Sequence, residues 1–385
     1  MKIAIASLGD PRSVKTWSGI PAHIVPALEK RGHEVISINL KTPPEPWYFD
    51  WLRRLYYRLQ KKWFMSSVEK VILKAIGQQF DKEVANIKPD CVLAIHGDFL
   101  AYTTFIQPSV LVHDTTFASL LNYYNGFTGL TKRSINAGNT MYQRALDRVD
   151  AAVFSADWAS QSALIDYGIQ SSKVFTVPLG ANLEQAPDAE KVNIWIADRV
   201  RNEVCNLLFL GVDWIRKGGP DILHMIKYLN GKGIKTVLNV VGVTPEIPED
   251  YKAYVNVIGF LRKSVPKESV QLSNLLETSS ALILPSIAEC YGCVFCEANA
   301  YGLPALGRNT GGIPEIIKEG VNGLMLGSHE SPEAFANRWS DIWLNKESYK
   351  EMANQSRIEY DNRLNYDVFA HTLEQIMSKV IDDRK

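Results

Sequence analysis

The sequence predicts an α/β protein made of two doubly wound parallel sheets in tandem. Apolar runs of six or seven residues alternate with longer amphipathic stretches, the pattern of strands that crossover helices bury on both faces. Near the middle the alternation stops in a polar segment and then begins again. Length agrees, since 385 residues suit two domains of ordinary size.

In the first half the strands read as KIAIAS (2–7), EVISINL (34–40), CVLAIH (91–96), SVLVHD (109–114), AAVFSA (151–156) and KVFTVP (173–178). Helices fit Ile20 to Arg31 and Ala156 to Tyr167. The opening MKIAIASLGDP is too short an apolar run for a signal peptide and serves as the first strand. From Gly180 to Val192 the chain is polar, carries Pro187 and lacks periodicity, so it reads as the linker. The second half restarts with NLLFLG (206–211), TVLNVVG (236–242), YVNVIG (254–259) and SALILP (280–285), then a short strand around Pro304 to Leu306. These divisions give residues 1–182 as a first domain, 183–365 as a second, and 366–385 as a C-terminal helix packing back toward the first.

Forty-two basic residues balance 42 acidic ones, so the net charge is zero and no global basic field points to nucleic acid. No run approaches the roughly 18 apolar residues of a membrane span. The expected location is the cytoplasm, with peripheral attachment to the inner face of the membrane left open.

Most of the chemistry lies between Ser286 and Leu324. Glu289 and Glu297 lie eight positions apart and bracket Gly292, which opens a helix after the strand ALILPS. Strand, glycine turn and helix N-terminus together make an anion site, because free backbone N–H groups and the helix dipole face the ligand. Carboxylates beside such a site accept hydrogen bonds from hydroxyls. Phosphate plus polyol points to a sugar nucleotide. Gly311-Gly312 then leads into a second helix.

The ordered run Glu289, Gly292, Glu297-Ala298, Gly302-Leu303-Pro304 and Gly311-Gly312-Ile313-Pro314-Glu315 resembles the retaining, nucleotide-sugar-dependent glycosyltransferases of family 4 (glycosyl transferases group 1). The resemblance implies the GT-B fold, two Rossmann-like domains facing an interdomain cleft. It implies Glu297 on the nucleotide ribose, and Glu289 with its neighbouring amides on the donor sugar; the amides near Gly292, Cys293 and Val294 are expected to stabilise the departing diphosphate. It also implies retention of anomeric configuration.

After the first strand of the second half, Phe209-Leu-Gly-Val-Asp-Trp-Ile-Arg216-Lys217-Gly218-Gly219 sets two cations in a strand-to-helix loop. Arginine offers phosphate a planar fork and lysine a point charge. The family usually has an arginine just after the strand glycine and a Lys-Gly several residues on. Lys217-Gly218 matches the second part, while Val212 stands at the first and Arg216 is the substitute. In the first half, Gly19 of Trp17-Ser18-Gly19-Ile20 matches a loop that approaches the diphosphate or acceptor. His113 ends a strand where the family places a histidine near the transferred sugar, and His96 competes for that role. Base contacts fall around Phe260-Leu261. The catalytic candidates are therefore Arg216, Lys217, Glu289 and His113.

There is no Asp-x-Asp and no convincing ligand cluster, so no metal or other cofactor is expected and the donor itself is the only nucleotide. Cys290-x2-Cys293-x2-Cys296 resembles the opening of an iron–sulfur run, but the fourth ligand and the following Cys-Pro are missing. These cysteines read as core.

Trp47 to Phe64 carries Arg53, Arg54, Arg58, Lys61 and Lys62 against one acid, Asp50. At helical spacing Tyr48, Leu52, Leu55, Leu59 and Trp63 share a face. Such a basic, aromatic helix reads as an interfacial membrane element, with Trp63 and the five cations facing the lipid. An ordinary surface helix is the alternative.

The reading is a metal-independent retaining hexosyltransferase that moves a hexose from a nucleotide-sugar donor to a glycan or lipid-linked acceptor. Cell-envelope polysaccharide or glycolipid synthesis, lipopolysaccharide included, is the setting. The alternative is a noncatalytic GT-B subunit that binds a sugar nucleotide to support a partner enzyme.

Overall fold

The computed structural model describes residues 1–385. The chain forms two compact units, residues 1–179 with 366–385, and residues 180–365. Each is a six-stranded parallel sheet flanked by helices.

The first unit contains β1 (Lys2–Leu8), β2 (Glu34–Leu40), β3 (Cys91–Ile95), β4 (Ser109–His113), β5 (Ala151–Phe154) and β6 (Val174–Thr176) in the order β2-β1-β3-β4-β5-β6. Ile3 to Ala6 of β1 and all of β3 are buried, as a sheet covered on both faces requires. Strand order reverses between β1 and β3, and ligands of such sheets bind outside the carboxyl ends at that point. The loop after β1 holds Trp17 to Gly19, and His96 follows β3 directly.

The helix Tyr366–Asp382 belongs to this first unit. It buries Phe369, Leu373, Ile376 and Met377 at the spacing of one helical face. Tyr366 stacks on His23 with ring centroids 5.4 Å apart, and Lys30 pairs with Asp367 at 2.7 Å.

The second unit contains β7 (Cys205–Leu210), β8 (Thr236–Val241), β9 (Val255–Gly259), β10 (Ala281–Ile283), β11 (Ala305–Arg308) and β12 (Gly323–Leu326), in the order β12-β11-β10-β7-β8-β9. Here the reversal lies between β7 and β10. The loops leaving those two strands carry Arg216-Lys217 and Glu289 to Gly292.

Several elements depart from the sequence reading. The expected linker runs into the helix Ala189–Arg201, where Val192 is buried and Arg199 donates to the carbonyls of Tyr301 and Gly302 at 2.6 and 2.8 Å. That buried cation sits at the C-terminal end of the helix Cys293–Ala300, where it complements the helix dipole. The helix after Gly311-Gly312 is a single turn, Ile313–Ile316. Strand β12 and the long helices Lys70–Ile87 and Lys132–Arg148 lie outside the elements read from the sequence.

The aromatic basic segment is a helix only over Tyr48–Gln60, closed by Lys61 in the left-handed region. Trp63 lies beyond it, bridged to Leu130. The core side is formed by Phe49 and Leu52, while Tyr48 and Leu59 stay exposed. Arg53, expected to face lipid, instead engages Glu45, Asp50 and Ser66.

Candidate functional site

The polar centre of the second unit is built by two loops at the strand-order reversal. After β7 the chain turns tightly, with Lys217 N–H donating to the Asp213 carbonyl at 3.0 Å and Gly219 N–H to the Trp214 carbonyl at 2.8 Å. Gly218 has φ +80°, and a Cβ there would overlap the Pro285 carbonyl of the neighbouring loop. Only glycine permits that approach, and the approach brings the two loops together.

Lys217 is buried and its ammonium is hydrogen-bonded to the Glu289 carboxylate. Arg216 donates to the Ala288 carbonyl at 2.8 Å, reaches the same Glu289 oxygen at 3.4 Å, and is held by Asp213 at 3.4 Å. Ile287 N–H returns a bond to the Arg216 carbonyl at 2.7 Å. Two cations and one carboxylate are thus fixed by loops that brace each other. Val212 is exposed and contributes no charge.

Gly292, at φ +100°, caps the helix Cys293–Ala300, and a Cβ on it would lie 3.4 Å from Glu289 Cγ. The Gly312 N–H donates to the Glu289 carbonyl at 3.1 Å and fixes the turn from behind. One turn into the helix, Glu297 is buried. Its carboxylate meets Lys263 at 2.9 Å, and Lys263 also donates to the Asn182 carbonyl at 3.1 Å. Sequence reasoning missed Lys263. The loop that holds it also presents Phe260, which is exposed, and half-buried Leu261.

The cysteines form no disulfide, Cys290 and Cys296 are buried, and Cys293 is half-buried. Burial pushes the Cys296 thiol up to about 12. Its Sγ lies 3.7 Å from the Tyr291 hydroxyl.

In the first unit the structure assembles Trp17, His96 and His113. The two imidazoles stack with centroids 4.6 Å apart, and Trp17 meets His96 edge-on at 4.8 Å. Trp17 and Ser18 both have positive φ, at 41° and 56°, and Gly19 follows at +84°. Two successive non-glycine residues in that region cost about 1–3 kcal/mol each, a strain that persists only where surroundings enforce it. His96 is also left-handed, at +78°.

Burial lowers the pKa of His96, and lowers that of His113 well below the ordinary value, with the neighbouring His96 adding to the effect. Tyr142 donates its hydroxyl proton to the Thr115 carbonyl at 2.7 Å and lies 3.0 Å from His113 Nδ1. The phenol has one proton, so this network assigns the imidazole proton to Nδ1 and leaves Nε2 as an acceptor. His96 Nε2, Asp98 Oδ1 and Ser155 Oγ are buried without hydrogen-bond partners. Unpaired buried polar atoms at strand ends suit a hydroxyl-rich ligand.

Residues 206–359 match glycosyl transferases group 1. Spore coat protein SA of Bacillus subtilis is 24% identical over 296 residues, 76% of this chain and 73% of that protein. An uncharacterized 41.2 kDa protein in cps region of Klebsiella pneumoniae is 23% identical over 189 residues, 48% of this chain. The chain spans half the length of that relative, 50%. Among solved structures, sucrose-phosphate synthase from Thermosynechococcus elongatus superposes with a TM-score of 0.71 at 14% identity, covering 100% of both chains. Anabaena Alr3699/HepE in complex with UDP superposes with a TM-score of 0.67 at 15% identity, covering 98% of this chain and 100% of that one. The shared fold is GT-B.

Proposed function

We propose, with residues 206–359 as the glycosyl transferases group 1 domain of a GT-B chain, that this protein transfers a hexose from a nucleotide-sugar donor to a hydroxyl of a glycan or lipid-linked acceptor. The observation that carries the reading is the cluster of Lys217, Arg216 and Glu289 beside the Gly292-capped helix.

In this reading Arg216, Lys217 and the amides of Cys293 and Val294 receive the diphosphate. Breaking the C1–O bond builds charge on that group, and preorganised donors there are worth roughly 2.7–4 kcal/mol each. Glu289 and Glu297 accept hydroxyl hydrogen bonds from sugar and ribose. Phe260 and Leu261 lie against the base, and Gly19 is the first unit's candidate for donor binding. His113 Nε2 accepts a bond from a sugar hydroxyl. Transfer proceeds with retention: the acceptor oxygen bonds to C1 on the face the diphosphate leaves, and its proton passes to the departing phosphate oxygen.

A uridine nucleotide is the first donor class to test, because the Anabaena neighbour is described with UDP. Cell-envelope polysaccharide or glycolipid synthesis on the cytoplasmic side is the setting that fits the spore-coat and cps relatives best. No helix is long and apolar enough to cross a membrane.

A thermal-shift screen with UDP, GDP, ADP and their sugars, followed by donor hydrolysis, tests the proposal. Stabilisation by one nucleotide family with slow hydrolysis of its sugar is expected, unchanged by a chelator. Loss of hydrolysis in chelator, restored by magnesium or manganese, overturns the metal-independent mechanism. Binding without hydrolysis or transfer favours the noncatalytic subunit, a second reading that Val212 at the usual arginine position supports.

A further inference from the structure

The helix Tyr48–Gln60 leaves its aromatic residues outside. Its core side is satisfied by Phe49 and Leu52, joined by Phe64 after the helix ends. Trp47 is 86% exposed, Trp51 58%, Leu59 70% and Trp63 59%. Positions 47, 51, 54, 58 and 61 follow helical four-and-three spacing, which puts Trp47, Trp51, Arg54, Arg58 and Lys61 along one stripe. Tyr57 and Trp63 pack together beside it at 5.1 Å, with the Lys61 ammonium 5.1 Å over the Tyr57 ring.

The charges on this stripe are uncompensated. The segment's single acid, Asp50, is bound to Arg53, which also engages Glu45. Arg54, Arg58 and Lys61 are exposed and form no salt bridge. Indoles and cations therefore share one outward face instead of dividing between core and solvent.

We propose that this stripe docks on an anionic lipid bilayer, with the helix lying along the surface. The helix extends about 20 Å, so its cations meet a plane at several points. Basic side chains are drawn to the anionic headgroups, and tryptophan settles at the headgroup level where one ring edge is wet and the rest apolar. A phosphate polymer would reward the cations but not the exposed indoles of Trp47 and Trp51. This inference is independent of the sugar-transfer reading, because it rests on the first unit's surface alone.

The test is sedimentation of the full chain with phosphatidylcholine vesicles and with mixed phosphatidylcholine–phosphatidylglycerol vesicles, alongside a blue shift in tryptophan emission. Binding only to the anionic vesicles, weakened by high salt, is expected. R54Q/R58Q/K61Q should lower partitioning on the order of 100-fold, at about fivefold per cation. W47S/W51S should abolish the emission shift and weaken binding. Circular dichroism confirms that each variant folds.

Failure of the wild-type chain to bind anionic vesicles at low salt overturns the proposal. Wild-type binding by both variants does the same. Tighter binding to a short single-stranded oligonucleotide than to vesicles at physiological salt overturns it in favour of nucleic acid. A concentration-dependent dimer that is lost in W47S/W51S, without vesicle binding, overturns it in favour of self-association.

Discussion

Lys263 holds the buried carboxylate of Glu297 at 2.9 Å while its own side chain stays half exposed. The charge assigned to the ribose is thus anchored from the β9 loop, and the same ammonium reaches the Asn182 carbonyl.

Replacing Lys263 by Met should therefore leave Glu297 charged and poorly paired. The expected cost is about 1–2 kcal/mol, less than for a fully buried pair because solvent already screens half of the lysine. Adding Glu297→Gln to Lys263→Met should recover most of that loss. Urea unfolding of the two single variants and the double variant gives the coupling, and additive effects would show that the pair is incidental.

Lys217→Ala should reduce turnover a hundredfold or more, by removing the cation that the proposed mechanism sets against the leaving diphosphate. Because Lys217 is buried against Glu289, truncation also destabilises, by about 3 kcal/mol, the cost of breaking a buried pair. Turnover must then be compared at saturating donor, well below the variant's melting temperature. Near-normal turnover there would remove Lys217 from the mechanism.

The strands were legible because each is a short apolar run, and the motif from Glu289 to Glu315 was legible because it is contiguous. What escaped depends on packing between distant segments. Lys263 meets Glu297 only because the loop after β9 folds over the helix Cys293–Ala300, a contact without local pattern. Strand β12 begins at Gly323, which reads as a turn signal, yet a Cβ there would overlap the Ala305 carbonyl of β11. Along Tyr48–Gln60 the aromatics offer two competing faces. The core took Phe49 and Leu52 and left Tyr48, Trp51 and Leu59 in water. The stacking of His96 on His113 follows from the adjacency of β3 and β4, and strand order cannot be read from either strand alone.

The histidine pair makes the first unit sensitive to mild acid. Burial lowers the folded pKa of both His96 and His113 below the ordinary 6.5. Below about pH 6.5 the unfolded chain takes up protons that the folded one refuses, so stability falls as pH drops and is fully present above that value. The slope approaches about 1.4 kcal/mol per pH unit for each histidine. His33, also lowered by burial, acts in the same direction. Unfolding midpoints at neutral and mildly acidic pH should differ for the wild type and differ less in His96→Asn/His113→Gln, where only the contribution of His33 remains. Asparagine suits the left-handed backbone at position 96. A pH dependence unchanged in that variant would place the sensitivity elsewhere.

The two glutamates should separate by ligand. Glu297, one helical turn inside and paired to Lys263, is assigned to the ribose, which every donor analogue carries. Glu289, between Lys217 and Arg216, is assigned to the sugar, which the bare nucleotide lacks. Glu297→Gln should therefore weaken nucleotide and nucleotide sugar alike, while Glu289→Gln should spare the nucleotide and weaken the sugar form. A site that loses its partner for a hydroxyl loses about 1–3 kcal/mol, or roughly five- to 150-fold in affinity. Thermal shift reads this directly, since ligand at a hundred times its dissociation constant stabilises by about 2.7 kcal/mol. Substituting Glu289 also releases two cations beside the diphosphate, so bare nucleotide affinity should rise slightly rather than fall. A fall in bare-nucleotide affinity for Glu289→Gln, matched by no change for Glu297→Gln, would reverse the two assignments.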